Sequence, residues 1–325
     1  MVQQSRWKKI RMKLFILAAA LIVATSANLS AFEKWTSFKA THNKSYNVIE
    51  DKLRFAVFQE NLKKIDEHNA KYESGEETYY LAVNKFADWS SAEFQAMLDS
   101  QMANKPKQTF IGKHEVDPNF QAAEEVDWRQ NAVLGVKDQG NCGSCWAFST
   151  TGSLEGQLAI HKNQRVPLSE QELVDCDTVN AGCNGGLMTD AFNYVKRHGL
   201  SSETQYQYTA RDGSCKNVQN KQLSSISGYV ELSETESALA SALASVGPVS
   251  IAVDADTWQF YGGGVFNNRN CGTSLNHGVL AVGYTKEVFI VKNSWGTSWG
   301  EQGYIRISRG HNLCGLNLMN SYPKL

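Results

Sequence analysis

Apolar positions change their period along this chain. Phe32, Trp35 and Phe38 fall at i, i+3 and i+6, a stripe that predicts a short helix. Further on, Glu50, Arg54, Phe58, Asn61, Ile65 and Asn69 are spaced by 4, 4, 3, 4 and 4. That spacing puts all six on one face of a helix. Glu50 and Arg54 form a favourable i, i+4 charge pair, and Phe58 and Ile65 supply apolar anchors. A face mixing Asn with Phe is unusual for a plain core stripe and points to specific side-chain bonding. Tyr79–Asp88 alternates as a short strand would. Gln101–Glu125 is polar and aperiodic, and reads as a connector.

After Val126 the pattern changes. Cys145–Ile160 has helical periodicity through Trp146, Ala147, Leu154 and Leu158, behind the Gly-containing turn Gln139–Ser144. Helical stretches follow around Glu170–Asp175 and Leu187–His198. From Gly228 strands dominate: Val249–Val253, Gly278–Tyr284, Val288–Lys292 and Gly303–Ser308. A helix-rich half followed by a strand-rich half predicts two subdomains of the α+β class, with a cleft between them as the natural place for a site.

Composition narrows the setting. With 325 residues, 42% of them hydrophobic and 20% charged, the chain has the make-up of a folded protein. A net charge of −1 gives no electrostatic argument for nucleic acid. At the N-terminus Arg6, Lys8, Lys9, Arg11 and Lys13 precede an apolar run from Leu14 to Val23, which gives way to small residues at Ala24–Ala27. These are the parts of a secretory signal peptide, and the run is shorter than the roughly 20 residues a membrane span needs. No other stretch reads as a span. Seven cysteines all lie beyond residue 140. An odd count in a secreted protein predicts paired cysteines with one thiol left over, and spacing alone does not say which.

The segment Gln139-Gly-Asn-Cys-Gly-Ser-Cys145-Trp suggests an answer. If Cys145 begins a helix, its sulfur sits where backbone N–H groups and the macrodipole favour an anion, which makes thiolate available. A nucleophile needs a base, and the base needs an orienting group. His277 lies 132 residues downstream at the mouth of an apolar strand, and Asn293 lies 148 downstream. An amide can accept the imidazole N–H without adding charge. Gln139 can turn a side-chain N–H toward an oxyanion developing beside the Cys145 backbone N–H.

Cys142-Gly-Ser-Cys145-Trp146 with His and Asn at these distances resembles the papain/cathepsin proteases. The face over 50–69 looks like the interspersed motif of cathepsin L-type propeptides. Ala82–Asp88 resembles that propeptide's second motif, with Ala82 where glycine is common. Glu125–Arg129 resembles the start of the mature enzyme, and Cys183–Met188 and Asn293–Gly300 extend the match to roughly residues 30–325. The resemblance implies a papain-like α+β fold, a helical subdomain plus a β-barrel-like one, preceded by a helical propeptide. The implied divisions are a signal peptide over 1–27, an inhibitory propeptide over 28–121 and a mature peptidase over 122–325.

Carried over residue by residue, Cys145 is the nucleophile, His277 the base, Asn293 its orienting partner and Gln139 the oxyanion donor. By the same resemblance Trp295 is expected to shield the Asn–His bond, and Gly185 and Gly186 to pair with extended substrate. The resemblance also implies that Leu187, Met188, Ala252, Leu275, Gly278 and Met319 line the pocket for the side chain two residues before the cut bond. The implied disulfides are Cys142–Cys183, Cys176–Cys215 and Cys271–Cys314, which leaves Cys145. No metal or organic cofactor is implied. Implied partners are protein and peptide substrates, the chain's own propeptide as intramolecular inhibitor, and cystatin-type inhibitors of a monomeric enzyme. The implied setting is a lysosome, a digestive lumen or the cell exterior.

Three features depart from the pattern. Val282–Phe289 is shorter than the usual hairpin and lacks its second glycine, and Asn276 stands where many members carry aspartate. No His-bearing insertion follows Cys176, which argues against a cathepsin B-type occluding loop. Rival readings fare worse. Cys142 and Cys145 are weak as half a zinc site or a redox dithiol, since no second ligand pair and no thioredoxin-like βαβ pattern accompany them. An inactive binding protein on this scaffold would be expected to lose Cys145, His277 or Gln139. A prosegment acting separately as an inhibitor is an added role at most, because a full enzyme domain follows it.

Overall fold

A computed structural model describes residues 31–98, 102, 112–114, 116 and 123–325. The leader read at the N-terminus and most of the 101–125 connector lie outside the described residues. Among those described, no helix is long and apolar enough to cross a membrane. In chain order the elements are α1 (31–41), α2 (Val48–Ser74), β1 (Tyr79–Leu81), α3 (Ser91–Met97), β2 (Gly112–His114), β3 (Val126–Asp127), α4 (Cys145–Lys162), α5 (Glu170–Cys176), α6 (Met188–His198), β4 (Gly228–Leu232), α7 (Glu236–Ser245), β5 (Val249–Val253), β6 (Tyr261–Phe266), β7 (His277–Tyr284), β8 (Val288–Lys292), β9 (Tyr304–Ser308) and β10 (Asn320–Lys324).

The chain divides into two compact units. The first comprises the described residues up to Lys64 together with Ala87–Trp89. Its core is Trp35, Phe38, Phe58, Leu62 and Ala87. The Asn47 side chain accepts the N–H groups of Ile49 and Glu50, and Glu50 and Asp51 set negative charge in the first turn of α2. The polar residues of the α2 face have definite partners. Asn61 donates to the carbonyls of both Ala87 and Trp89 at 2.9 Å. Arg54 donates to the Asp88 carbonyl at 3.1 Å and lies 3.8 Å from Glu50. The fully buried Asp88 carboxylate accepts from Lys44 at 3.2 Å and from the Tyr46 hydroxyl.

The second unit comprises Ile65–Phe86 and Ser90–Leu325. Here Asn69 exchanges two side-chain bonds with the backbone of Leu81, at 2.8 and 2.9 Å. The strand expected over Tyr79–Asp88 stops at Leu81. Asn84 turns the chain instead: its amide oxygen accepts from the Phe86 N–H, and its nitrogen donates to the Gln259 carbonyl at 2.8 Å. A capping box between Ser90 and Glu93 starts α3, which buries Phe94 and Met97.

One sheet runs β1-β6-β9-β8-β7-β5-β10-β4-β2, with β3 paired to β7. β5, β7 and β8 are buried along their whole length, so they read as apolar runs and not as alternation. α4 is buried continuously from Cys145 to Leu158. It is tied to the sheet where the Ser149 hydroxyl donates to Val279 and the Ser250 hydroxyl donates to Ser149. α7 interrupts the strand-rich half. Its Ala- and Ser-rich stretch gives little periodic contrast, and its start is capped by Thr235. The short β7–β8 hairpin closes with Thr285 N–H on the Val288 carbonyl, and Arg309 holds the Thr285 carbonyl at 2.6 Å. Disulfides join Cys142–Cys183, Cys176–Cys215 and Cys271–Cys314, separated by 41, 39 and 43 residues. On the chain-entropy account each contributes about 4 kcal/mol.

Candidate active site

Cys145 is the first residue of α4, fully buried and outside the three disulfides. The helix cap before it is unusual. Ser144 occupies the N-cap but makes no side-chain cap bond; its hydroxyl meets the Tyr208 hydroxyl at 2.6 Å. The first turn closes through the Ser144 carbonyl, which accepts from Ala147 and Phe148. Cys145 therefore heads a helix whose N-terminal field acts on the thiol without a capping side chain in between.

His277 opens β7 opposite Val253 of β5. Its Nε2 donates to Asn293 Oδ1 at 2.7 Å, which fixes the tautomer and leaves Nδ1 bare to accept a proton. Nδ1 is buried without a hydrogen-bond partner. Burial pushes the imidazole pKa down to about 4, and the Asn293 bond pulls the other way. Asn293 Oδ1 also accepts the Ser294 N–H at 2.8 Å, so the amide cannot swing away freely. The next position, Gly278, brings β7 against the head of α4. A Cβ there would lie 3.2 Å from the Cys145 carbonyl oxygen, the Trp146 Cα and the Met188 sulfur.

Gln139 is anchored at several points. Its backbone N–H donates to the Ser294 carbonyl at 2.8 Å, and its Oε1 accepts from the Ser294 hydroxyl at 2.6 Å. Its Nε2 donates to the Cys142 carbonyl at 3.0 Å, which leaves the second amide hydrogen for another acceptor. Trp295 stacks on His277 with centroids 4.6 Å apart and planes 24° from parallel. Phe86 and Phe94 stand edge-on to the same indole at 5.5 and 5.4 Å. Trp299 is a buried core aromatic whose indole N–H reaches the Trp258 carbonyl.

The expected pocket residues come together. Leu187, Met188, Ala252 and Leu275 are buried in one apolar cluster, and Met319 packs against it. Ala252 lies opposite Gly278 in the β5–β7 register, and its N–H donates to the Met319 carbonyl at 3.0 Å. A Cβ on Gly186 would strike the Asn180 side chain at 2.6 Å and the Trp146 ring at 2.7 Å. Only glycine allows that close approach. Gly185 is buried beside it with φ 110°.

Several contributors lie outside the sequence reading. Met102 is fully buried in the same apolar cluster, although nothing in the aperiodic connector marks it. Phe94 could have been found from the Ser90–Glu93 capping box, which starts a helix there. A buried ion cluster lies behind Asn293: Lys137 pairs with Glu155 at 2.8 Å and Glu170 at 2.5 Å. Burial raises the Glu170 pKa and lowers that of Lys292, which lines the same small cavity as Asn293.

Comparison with known proteins gives the chain a family. Residues 122–324 match the papain family cysteine protease domain, and residues 35–94 match the cathepsin propeptide inhibitor domain. The chain belongs to the papain family of cysteine proteases. It is 45% identical to a cathepsin L-like proteinase of Phaedon cochleariae, over 97% of this chain and all of the relative. Against procathepsin L of Mus musculus it is 40% identical, over 96% of this chain and 99% of that one. The structure of digestive procathepsin L 3 from Tenebrio molitor larval midgut superposes with a TM-score of 0.84 at 46% identity, covering 91% and 99% of the two chains. The papain-like α+β fold and the cathepsin L-like proteinase activity, with an inhibitor-type propeptide, follow from these matches.

Proposed function

We propose that this cathepsin L-like enzyme cuts internal peptide bonds through a thioester at Cys145, with His277 as base, Asn293 as its orienting amide and Gln139 as oxyanion donor. The observation that carries the reading is the Asn293–His277 bond at 2.7 Å, which leaves Nδ1 bare where Gly278 packs β7 on the Cys145 end of α4. In the first half-reaction the thiol proton moves to His277 Nδ1, and the sulfur attacks the peptide carbonyl carbon. The oxygen takes negative charge and meets the second Gln139 amide hydrogen and the Cys145 N–H. The C–N bond then breaks as His277 returns the proton to the leaving amine. In the second half-reaction His277 deprotonates water, which attacks the thioester carbonyl. The carboxylic acid leaves, and the proton restores the thiol.

The apolar cluster of Leu187, Met188, Ala252, Leu275 and Met319 with Gly278 forms the pocket for the residue two positions before the cut bond, and it favours a hydrophobic guest. Gly185 and Gly186 hold the substrate extended. We divide the chain into a signal peptide over 1–27, an inhibitory propeptide over 28–121 and a mature enzyme over 122–325. The enzyme is a monomer on the secretory route, destined for a lysosome, a digestive lumen or the cell exterior, and open to cystatin-type inhibitors. The test is Cys145→Ser in the full chain. Peptidase activity should become unmeasurable while the melting temperature stays within a few degrees of wild type. A variant keeping more than a few per cent of the wild-type rate would remove Cys145 as the nucleophile.

A further inference from the structure

One phenol reaches two points of the turn that presents Cys145. The Tyr208 hydroxyl donates to the Gln139 carbonyl at 2.8 Å and accepts from the Ser144 hydroxyl at 2.6 Å. Its ring stands edge-on to Phe148, one turn into α4, at 4.9 Å and 81°. Its backbone N–H is fixed on the Glu203 carboxylate at 2.9 Å. A single oxygen thus joins the residue that carries the oxyanion amide to the residue just before the thiol. The Ser144 backbone, at φ −97° and ψ 17°, is outside the extended conformation from which a serine caps a helix, and its hydroxyl bonds Tyr208 instead.

We propose that Tyr208 is a positioning residue for acyl transfer, which sets the distance between the Gln139 amide and the head of α4. The proposal rests on the catalytic reading of Cys145 and Gln139. The phenol bonds the residues on either side of the thiol, so its effect is expected on the transition state and not on substrate affinity. An oxyanion donor displaced by a fraction of an ångström loses most of its contribution.

Losing only the oxygen tests this. Tyr208→Phe and Ser144→Ala, each expressed as the full chain and activated in acid, should lower kcat about tenfold per titratable Cys145 thiol. KM should change less than twofold. A peptide aldehyde, which forms a tetrahedral adduct, should lose affinity in step with kcat, whereas a noncovalent peptide inhibitor should not. The two variants act on one bonded chain, so the double variant should cost no more than about the larger single effect. A lowered melting temperature with kcat per thiol within twofold of wild type, in both variants, would overturn the proposal and leave Tyr208 a packing residue. Gln139→Ala run in parallel separates the levels. If it is slow while both hydroxyl variants are normal, only the Tyr208 role falls; if it is as fast as wild type, the oxyanion assignment and the Tyr208 role fall together.

Discussion

Trp295 lies flat against His277, 4.6 Å between ring centres, on the imidazole whose Nε2 holds Asn293. An indole in that position would keep water from the bond, and a hydrogen bond out of reach of water is the stronger for it. The Asn293 bond favours the protonated ring, against the larger effect of burial. Asn293→Ala should therefore lower the imidazole pKa further and move the alkaline limb of the pH–rate profile to lower pH. Turnover should fall about tenfold to a hundredfold without vanishing, because thiol and imidazole can still exchange a proton. An unchanged turnover with an unchanged profile would make Asn293 structural and reduce the site to a dyad.

The pocket prediction follows from what its walls lack. Leu187, Met188, Ala252, Leu275 and Met319 offer carbon and sulfur but no carboxylate. Burying a Phe or Leu side chain there contributes about 1.5–3 kcal/mol, and an Arg would give up hydration without gaining a partner. In peptides differing only at the second residue before the cut bond, kcat/KM for Phe or Leu should exceed that for Arg by about tenfold or more. A preference for Arg would refute the pocket.

Met102 already fills part of that apolar cluster in the precursor. Exchanging it for glycine removes the apolar anchor, worth about 1.5–3 kcal/mol, and loosens the backbone as well. Met102→Gly precursor should show about tenfold more peptidase activity before any cleavage at neutral pH. Intact precursor separated by electrophoresis and assayed at once gives the comparison. Equal activity of the two precursors would show that the inhibitory cover does not depend on this side chain.

Much of this was legible in the chain, for identifiable physical reasons. The helix periods of α2 and α4 survive because each presents a long, regular face, and the Asn residues on the Glu50–Asn69 face pointed to specific side-chain bonding, though not to the backbone partners that Arg54, Asn61 and Asn69 have. Cys145, His277, Asn293 and Gln139 could be nominated because their chemistry is rare in combination. The strand after Tyr79 was overextended, since a period of two does not reveal that the Asn69 side chain takes the backbone bonds of Leu81 and that Asn84 turns the chain at Phe86. Tyr208 and Met102 carry no local pattern at all. Their roles arise only when residues 69 positions apart, Gln139 and Tyr208, meet through a hydroxyl, or when a connector side chain is buried at long range.

Acid should loosen the precursor, and two histidines give the direction. Burial lowers the His277 pKa to about 4, and burial also lowers that of His114, whose ring sits between the Tyr322 hydroxyl at 3.2 Å and the Ser241 hydroxyl at 3.0 Å. Each takes up a proton more readily when unfolded, near pH 6.5, than when folded. The unfolded state therefore binds more protons below that pH, and folding stability falls as pH drops from about 6.5 to about 4. For His277 the full loss is about 3 kcal/mol. Asp51 adds to the trend at lower pH: its bond to Lys39 holds the carboxyl below its usual range, so the stability it contributes disappears as that carboxylate protonates. The Cys145→Ser precursor, which cannot process itself, should show a melting temperature that falls between pH 6.5 and 5, before ordinary carboxylates titrate. The slope should flatten in a His114→Gln version of the same protein. Self-processing of the wild-type precursor near Gln121–Glu125 should accelerate over the same range. A melting temperature constant from pH 6.5 to 5, with processing that speeds up only below about pH 4.5, would assign the switch to carboxylates alone and exclude the histidines.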